Sequence, residues 1–434
     1  MTRTRTVLAA ALSAAVLAAA SPAAAQEAGV VEGPGIKVGE GTVLHPVLGV
    51  ESGVISNVFY EDADPTFAGL LRVIAEFGIG SLPDQRLTGA VAQSDPDADG
   101  EAAAKATNEG SFRFRADGRF AYEEYLSGND NVQAQRNLAF AIRLRGIVRP
   151  QSTFSFQFED ELRRETRPTN YESRGALDRD INRLVLQGNF QPRGRTLSGH
   201  LRFQNTLDIF ESDEHSFANR MQNTLGARLN WQWFPATRIY GDASLGFFGG
   251  LGDSTKVGSM PLRLLVGAQT VLTVNTTLNT RVGFGKGFYA SGPDFTNVVF
   301  GAQFGYRFSP QGRMTVLYDY DFADSINANF YRDHAFGVQL AQQIDRWTLS
   351  LGGELRLRAY RGVLAEVGGA AMDRSDLILS FPLNASYNFS DRLAGSIDYR
   401  FVTDQTDFRY MSDGVTDDPS YTRHELLVGI RGAL

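Results

Sequence analysis

Apolar and polar residues alternate with a period of two through most of this chain. In 111–122, Phe112, Phe114, Phe120 and Tyr122 stand opposite Arg113, Arg115, Asp117 and Arg119. That spacing puts side chains on two faces of a strand, and no amphipathic helix produces it. At the far end, Leu426, Val428, Ile430 and Leu434 fall on one side, with Arg423, Glu425, Gly429 and Arg431 on the other. A strand of that kind must be closed against another, and it is read as the closing strand of a barrel. The same alternation marks eighteen segments: 42–56, 67–79, 111–126, 134–148, 153–164, 180–190, 196–210, 218–234, 238–249, 260–272, 276–289, 295–308, 313–322, 331–343, 347–360, 375–389, 393–404 and 421–434.

The connections sort into two kinds. Tight turns carry Pro, Asp, Asn or Gly, as at 149–152, 190–194, 308–312 and 389–392, where such residues supply turn geometry. The alternate connections are longer and more polar, as at 165–178, 361–373 and 403–420, though too short for a deep plug. The rhythm breaks at 81–110, an Asp/Ala/Gly-rich stretch read as one long connection. Short turns on one side and long loops on the other is the outer-membrane pattern, and an even strand number puts both ends on the periplasmic side. A soluble sandwich shares the alternation but has no reason to sort its loops. The predicted fold is all-β: a transmembrane antiparallel up-and-down β-barrel of about 18 strands with short periplasmic turns and longer extracellular loops, covering 42–434 after a lead-in at 26–41.

Aromatic residues recur beside the tight turns. Trp231, Trp233, Phe308, Trp347 and Phe389 are the candidates for a girdle at the outer-membrane lipid boundary. Asp160, Asn223 and His334 interrupt the predicted lipid face near the long-loop ends of their strands, and Pro382 marks a bulge or a break of register.

Composition then places the chain. Arg3 and Arg5 precede an apolar run at 7–20 and Ala23-Ala24-Ala25, a secretory signal peptide at 1–25. There is no cysteine, so an exported chain holds together without disulfides. With 42 basic and 49 acidic residues the net charge is −7, and nothing points to nucleic acid. Membrane insertion implies the barrel-assembly machinery as a partner, and Leu434 stands where such substrates typically carry phenylalanine.

Candidate chemistry lies on the lumen face. Pairing the third to sixth strands around their turns brings Asp117, Arg143, Glu159 and Arg183 level, as a row of alternating charge; Arg113, Arg115, Arg202 and Arg228 face the same lumen. Such a row either braces a hydrated wall or selects solutes, since guanidinium groups bind carboxylate and phosphate in bidentate fashion. Asp95, Asp97, Asp99 and Gly100 resemble the opening of a calcium loop, but its twelfth position is Ala106 rather than glutamate. No metal or cofactor is expected. Ser198 and His200 share a face without a third partner, and no nucleophile motif occurs, so the chain does not read as an enzyme.

The stretch Leu48-Gly-Val-Glu-Ser-Gly-Val-Ile-Ser-Asn-Val-Phe-Tyr60 resembles the opening of the outer-membrane β-barrel porins that accompany exopolysaccharide synthesis and export genes. In that family a glycine-rich first strand runs into an aromatic-Asp-x-Asn-Val-Phe stretch. Asn57, Val58 and Phe59 match, while Val54 to Ser56 replace the aromatic residue and the aspartate. The resemblance implies passage of a polysaccharide, and a periplasmic polysaccharide-export component as partner. Composition and spacing imply only a pore. The expected function is therefore an outer-membrane pore for export of a surface or secreted polysaccharide, with a general diffusion porin for small hydrophilic solutes as the alternative.

Overall fold

The structure, a computed structural model, describes residues 31–434 except 32, 40, 82–110, 167–177, 193, 195, 327, 364–372 and 413–414. The expected signal peptide, all of the long connection beyond Ser81, and Asp95, Asp97 and Asp99 lie outside the described residues.

Eighteen antiparallel strands close into a barrel. In chain order they are β2 (Thr42–Ile55), β3 (Ala68–Ser81), β4 (Phe112–Leu126), β5 (Asn137–Val148), β6 (Phe154–Glu165), β7 (Arg179–Phe190), β8 (Leu197–Phe210), β9 (Arg220–Phe234), β10 (Thr237–Gly250), β11 (Ser259–Thr273), β12 (Thr276–Tyr289), β13 (Phe295–Ser309), β14 (Gly312–Asp324), β15 (Phe330–Ile344), β16 (Trp347–Arg361), β17 (Arg374–Ser390), β18 (Leu393–Thr406) and β21 (Tyr421–Ala433). Each pairs with its sequence neighbours, and β21 closes the ring against β18 and β2, with Val428 opposite Ser52. Closure gives every strand two neighbours, so most N–H and C=O groups in the apolar layer, where unpaired ones would be costly, are bonded across the ring.

The expected fold is thus present, with small differences at strand ends. β5 starts at Asn137 rather than 134 because 130–133 forms a helical turn, capped by the Asn129 side chain accepting from the Asn131 N–H. A short β1 (Ile36–Gly39) pairs with the start of β2, and β19 (Tyr410–Ser412) and β20 (Val415–Asp417) form a hairpin in the last loop. β1 follows Gly35, whose N–H donates to the Leu434 carbonyl at 3.1 Å. The lead-in therefore occupies the edge of β2 just beyond the end of β21, and Val31 packs with Val47, Ala394 and Ala433.

Pro382 makes no bulge. Leu351 pairs with Leu383 and Glu354 with Ser380, so the register is conserved while pairing lapses between them. The missing proline N–H explains the lapse, and Gly352 leaves room for the ring.

The side-chain pattern follows from closure. In β21 buried and exposed positions alternate, with Leu426, Val428 and Ile430 each at least 40 % exposed and Arg423, Glu425 and Arg431 buried. The barrel is inside out: its apolar residues face outward and its charges inward.

Candidate functional site

The lumen wall is a lattice of ion pairs set by strand register. At the closing seam, Arg72 on β3 sits opposite Glu51 on β2 and Glu123 on β4. Its guanidinium reaches Glu51 at 3.0 Å, Glu123 at 2.8 Å and Glu425 of β21 at 3.1 Å. Arg431 adds Glu51 at 2.8 Å and Glu76 at 3.8 Å, and Arg119 adds Glu76 at 3.5 Å. Four strands are cross-linked from inside where the chain closes on itself.

The expected row is present with one correction. Register places Asp117 opposite Arg143, Arg143 opposite Glu161, and Glu161 opposite Arg183. Glu161 therefore holds the level expected for Glu159, which faces Arg145 two residues nearer the turn. The turn between β5 and β6 sets Val148 opposite Phe156, a shift that sequence pairing does not resolve. Both carboxylates still meet the same cations: Arg183 lies 3.0 Å from Glu159 and 3.3 Å from Glu161, and Arg143 lies 3.9 and 3.4 Å from them.

Of the other candidates, Arg115 pairs with Asp117 at 2.7 Å and Arg228 with Asp242 at 3.1 Å, stacking over Tyr240. Arg113 is buried, and Arg202 is half-buried with no ion pair among the described residues. Trp231, Trp233, Phe308, Trp347 and Phe389 are all 45–53 % exposed, with Trp233 against Phe234 and Trp347 against Tyr387.

Within this wall lies a cavity of about 380 Å³. It is lined by Glu51, Glu123, Glu165, Asp398 and Glu425, and by Arg72, Arg119, Arg163, Arg164, Arg400 and Arg431, with Leu351, Pro382 and Leu427 between them. The two signs of charge nearly balance, and most of these groups are already paired with each other.

At the extracellular end, loops tie to one another. The Lys256 ammonium donates to the carbonyls of Ile326 and Ala328, at 3.2 and 2.8 Å. Ile326 packs with Phe210, Ala218 and Phe217, and Ala328 with Tyr360, Val363 and Phe408. Asn329 donates to the Ser291 and Pro293 carbonyls. The loops, expected from their length to be too short for a deep plug, join through two small apolar clusters linked by the 325–329 loop. At the extracellular end of β6, Arg164 binds Glu211 at 2.8 Å and Asp178 at 3.2 Å, and that guanidinium holds the Glu211 carboxyl below the ordinary range.

The residues matched to the exopolysaccharide-associated porins have a structural task. The Asn57 side chain is fully buried, donates to the Glu61 and Thr422 carbonyls and accepts from the Glu61 N–H. Val58 packs with Ile55, Leu70 and Leu427. The match pins the first loop to the start of β21 and does not reach the lumen cavity.

Polar residues on the outer face are satisfied in pairs: Asp160 with Asn182 at 2.9 Å, Asn205 with Asn223 at 2.8 Å, and His334 with the Tyr318 hydroxyl at 2.9 Å. A closed ring of strands, apolar outside and charged inside, is an integral β-barrel of the outer membrane.

No protein-family model matches the chain and no curated protein matches it. Solved structures similar to it include OccAB3 of Acinetobacter baumannii, at 12 % identity and a TM-score of 0.45, covering 90 % of this chain and 99 % of that one. OccK2 (OpdF) of Pseudomonas aeruginosa has 13 % identity and a TM-score of 0.44 over 91 % and 98 %. The siderophore receptor PirA of the same organism has 10 % identity and a TM-score of 0.41 over 90 % and 80 %.

Proposed function

We propose that the protein is a passive, weakly charge-selective channel for small hydrophilic solutes. The observation that carries this reading is a cavity of about 380 Å³ in the barrel whose carboxylates and guanidiniums nearly balance and are mostly paired. Paired charges keep a wall hydrated while offering little net field to a passing ion. A polymer needs a continuous track of groups free to bind successive sugars, whereas most charged groups around this cavity are engaged with one another. The polysaccharide-export reading rests on Asn57, Val58 and Phe59, whose contacts are those of a loop anchor.

Planar-bilayer recording of the purified protein tests the proposal. Steady conductance with a reversal potential near zero in a salt gradient is expected, and liposomes carrying the protein should swell in monosaccharides but not in long oligosaccharides. A closed bilayer, or passage of oligosaccharides as fast as of monosaccharides, would overturn it.

A further inference from the structure

The barrel wall is not paired to the same height all round. β13 and β14 are bonded from Ser309 and Gly312 up to Phe300 and Tyr320, and no further. Yet β13 continues to Phe295 against β12, and β14 continues to Asp324 against β15. The two strands part above Phe300. From Phe308 at the turn end to Phe300, ~3.3 Å per residue at a tilt of ~40° gives roughly 20 Å of height, against an apolar band of ~25 Å. The cleft thus opens near the top of the lipid layer.

It is filled by one side chain. Asp321 faces the lumen, where it pairs with Arg263 at 3.1 Å, so alternation should turn Phe322 toward lipid. Instead Phe322 also turns inward: it is 2 % exposed, stacks on Phe295 at 4.1 Å and packs with Leu265, Val299 and Phe330. Gly285 and Gly287 on β12 make the space, since a Cβ at either would lie 3.0 Å from the Phe322 ring. The strand edge left without a partner is satisfied locally. The Phe322 N–H donates to Asp321 and its carbonyl accepts from Arg263, whose guanidinium lies 4.3 Å over the ring.

We propose that the cleft between β13 and β14 is a lateral portal, with Phe322 as its door, joining the lumen to the outer leaflet for single-chain carboxylate amphiphiles. The lining is apolar and aromatic, which suits an aliphatic chain and not a hydrated solute. At its inner edge Arg263 is held by one carboxylate, for which an arriving carboxylate head competes. The loss of strand pairing is already borne in the closed form, so opening requires rotation of one side chain rather than rupture of a ladder. The portal rests on the lumen being open to water, and its test separates the two claims.

With no native cysteine, the variant Asn297→Cys with Ala323→Cys places two thiols on facing strands of the cleft. Bridging them with a short bis-maleimide should cut transfer of dodecanoate from the outer leaflet into the liposome interior several-fold, with ion conductance unchanged. Unchanged dodecanoate transfer would overturn the portal, as would an equal fall in both readouts, which means axial passage. Absence of conductance in the unmodified protein would sink the channel reading instead. If the double variant does not fold, Phe322→Ala decides: dodecanoate transfer should rise several-fold, and no rise refutes the door.

Discussion

The Arg431 guanidinium lies 2.8 Å from the Glu51 carboxylate, joining the last strand of the barrel to the first from the lumen side. Both side chains are at least 94 % buried, and removing one leaves the other with a single ionic partner, Arg72 for Glu51 and Glu76 for Arg431. Arg431→Ala and Glu51→Ala should each lower stability by about 1–3 kcal/mol. The double variant should lose less than the sum, because the contact that the two share is lost only once. Urea unfolding in lipid vesicles, followed by the heat-modifiable shift on gels, measures all three; strictly additive losses would show that the pair does not hold the seam.

Gly352 and Pro382 face one another where pairing between β16 and β17 lapses. A Cβ at Gly352 would stand 2.8 Å from the proline ring, whereas one at Gly353 would stand 3.4 Å from Phe381. Gly352→Ala should therefore cost about 1–3 kcal/mol through overpacking against a rigid ring. Gly353→Ala, at ordinary contact distance, should be close to neutral. Equal effects in the same unfolding assay would rule out the steric account.

These contacts show which parts of the molecule were legible in the sequence. Strand number, direction and inward or outward sense follow from period two, because closure in lipid forces every strand to obey it: Leu426, Val428 and Ile430 lie where alternation puts them. Cross-strand level was less legible. Glu161 rather than Glu159 completes the row with Asp117, Arg143 and Arg183, since a turn's geometry moves register by two without altering the facing of any side chain. The knot at the mouth was illegible. Ile326, Phe217, Val363 and Phe408 are isolated apolar residues in four polar loops, and only the curvature of the barrel brings them together. Phe322 is the instructive exception, breaking alternation just above the point where β13 and β14 part.

Glu211, just beyond the end of β8, tests the electrostatics of the extracellular rim. Hydrogen bonding to Arg164 holds its carboxyl below the ordinary value of 4.5. A folded-state value lowered in this way contributes stability that is present above 4.5 and is lost as pH falls through the lowered folded value. The site is well exposed, so the effect is small and screened by salt. Wild type should melt slightly above Glu211→Gln at neutral pH, and the gap should close as the pH falls through the lowered folded value. A gap that persists in acid would mean that the contact is steric rather than ionic.

Leu434 ends the closing strand 64 % exposed, on the same outward face as Ile430. Its N–H donates to the Pro46 carbonyl at 3.3 Å, and its own carbonyl accepts from Gly35. A charged side chain here would sit beside the apolar band, at a cost that falls toward the interface. Leu434→Asp should reduce the yield of folded barrel in the outer membrane, while Leu434→Phe should maintain or raise it. Heat-modifiability of membrane fractions reads both, and indifference to both changes would remove this residue from assembly.

Lys256 ties two of the extracellular loops together. Its ammonium is buried and donates to Ile326 and Ala328, so Lys256→Met keeps the bulk of the side chain but strands two buried carbonyls. Leaving such groups unsatisfied costs about 1–3 kcal/mol each, which loosens a five-residue loop still held by the packing of Ile326 and Ala328 and by the hydrogen bonds of Asn329. The wall below it, built from strand pairing and ion pairs, is untouched. Single-channel records of Lys256→Met should therefore show a larger mean conductance and more frequent flicker, with the melting transition of the barrel nearly unchanged. If conductance and noise match wild type, the loops do not narrow the path that solutes take.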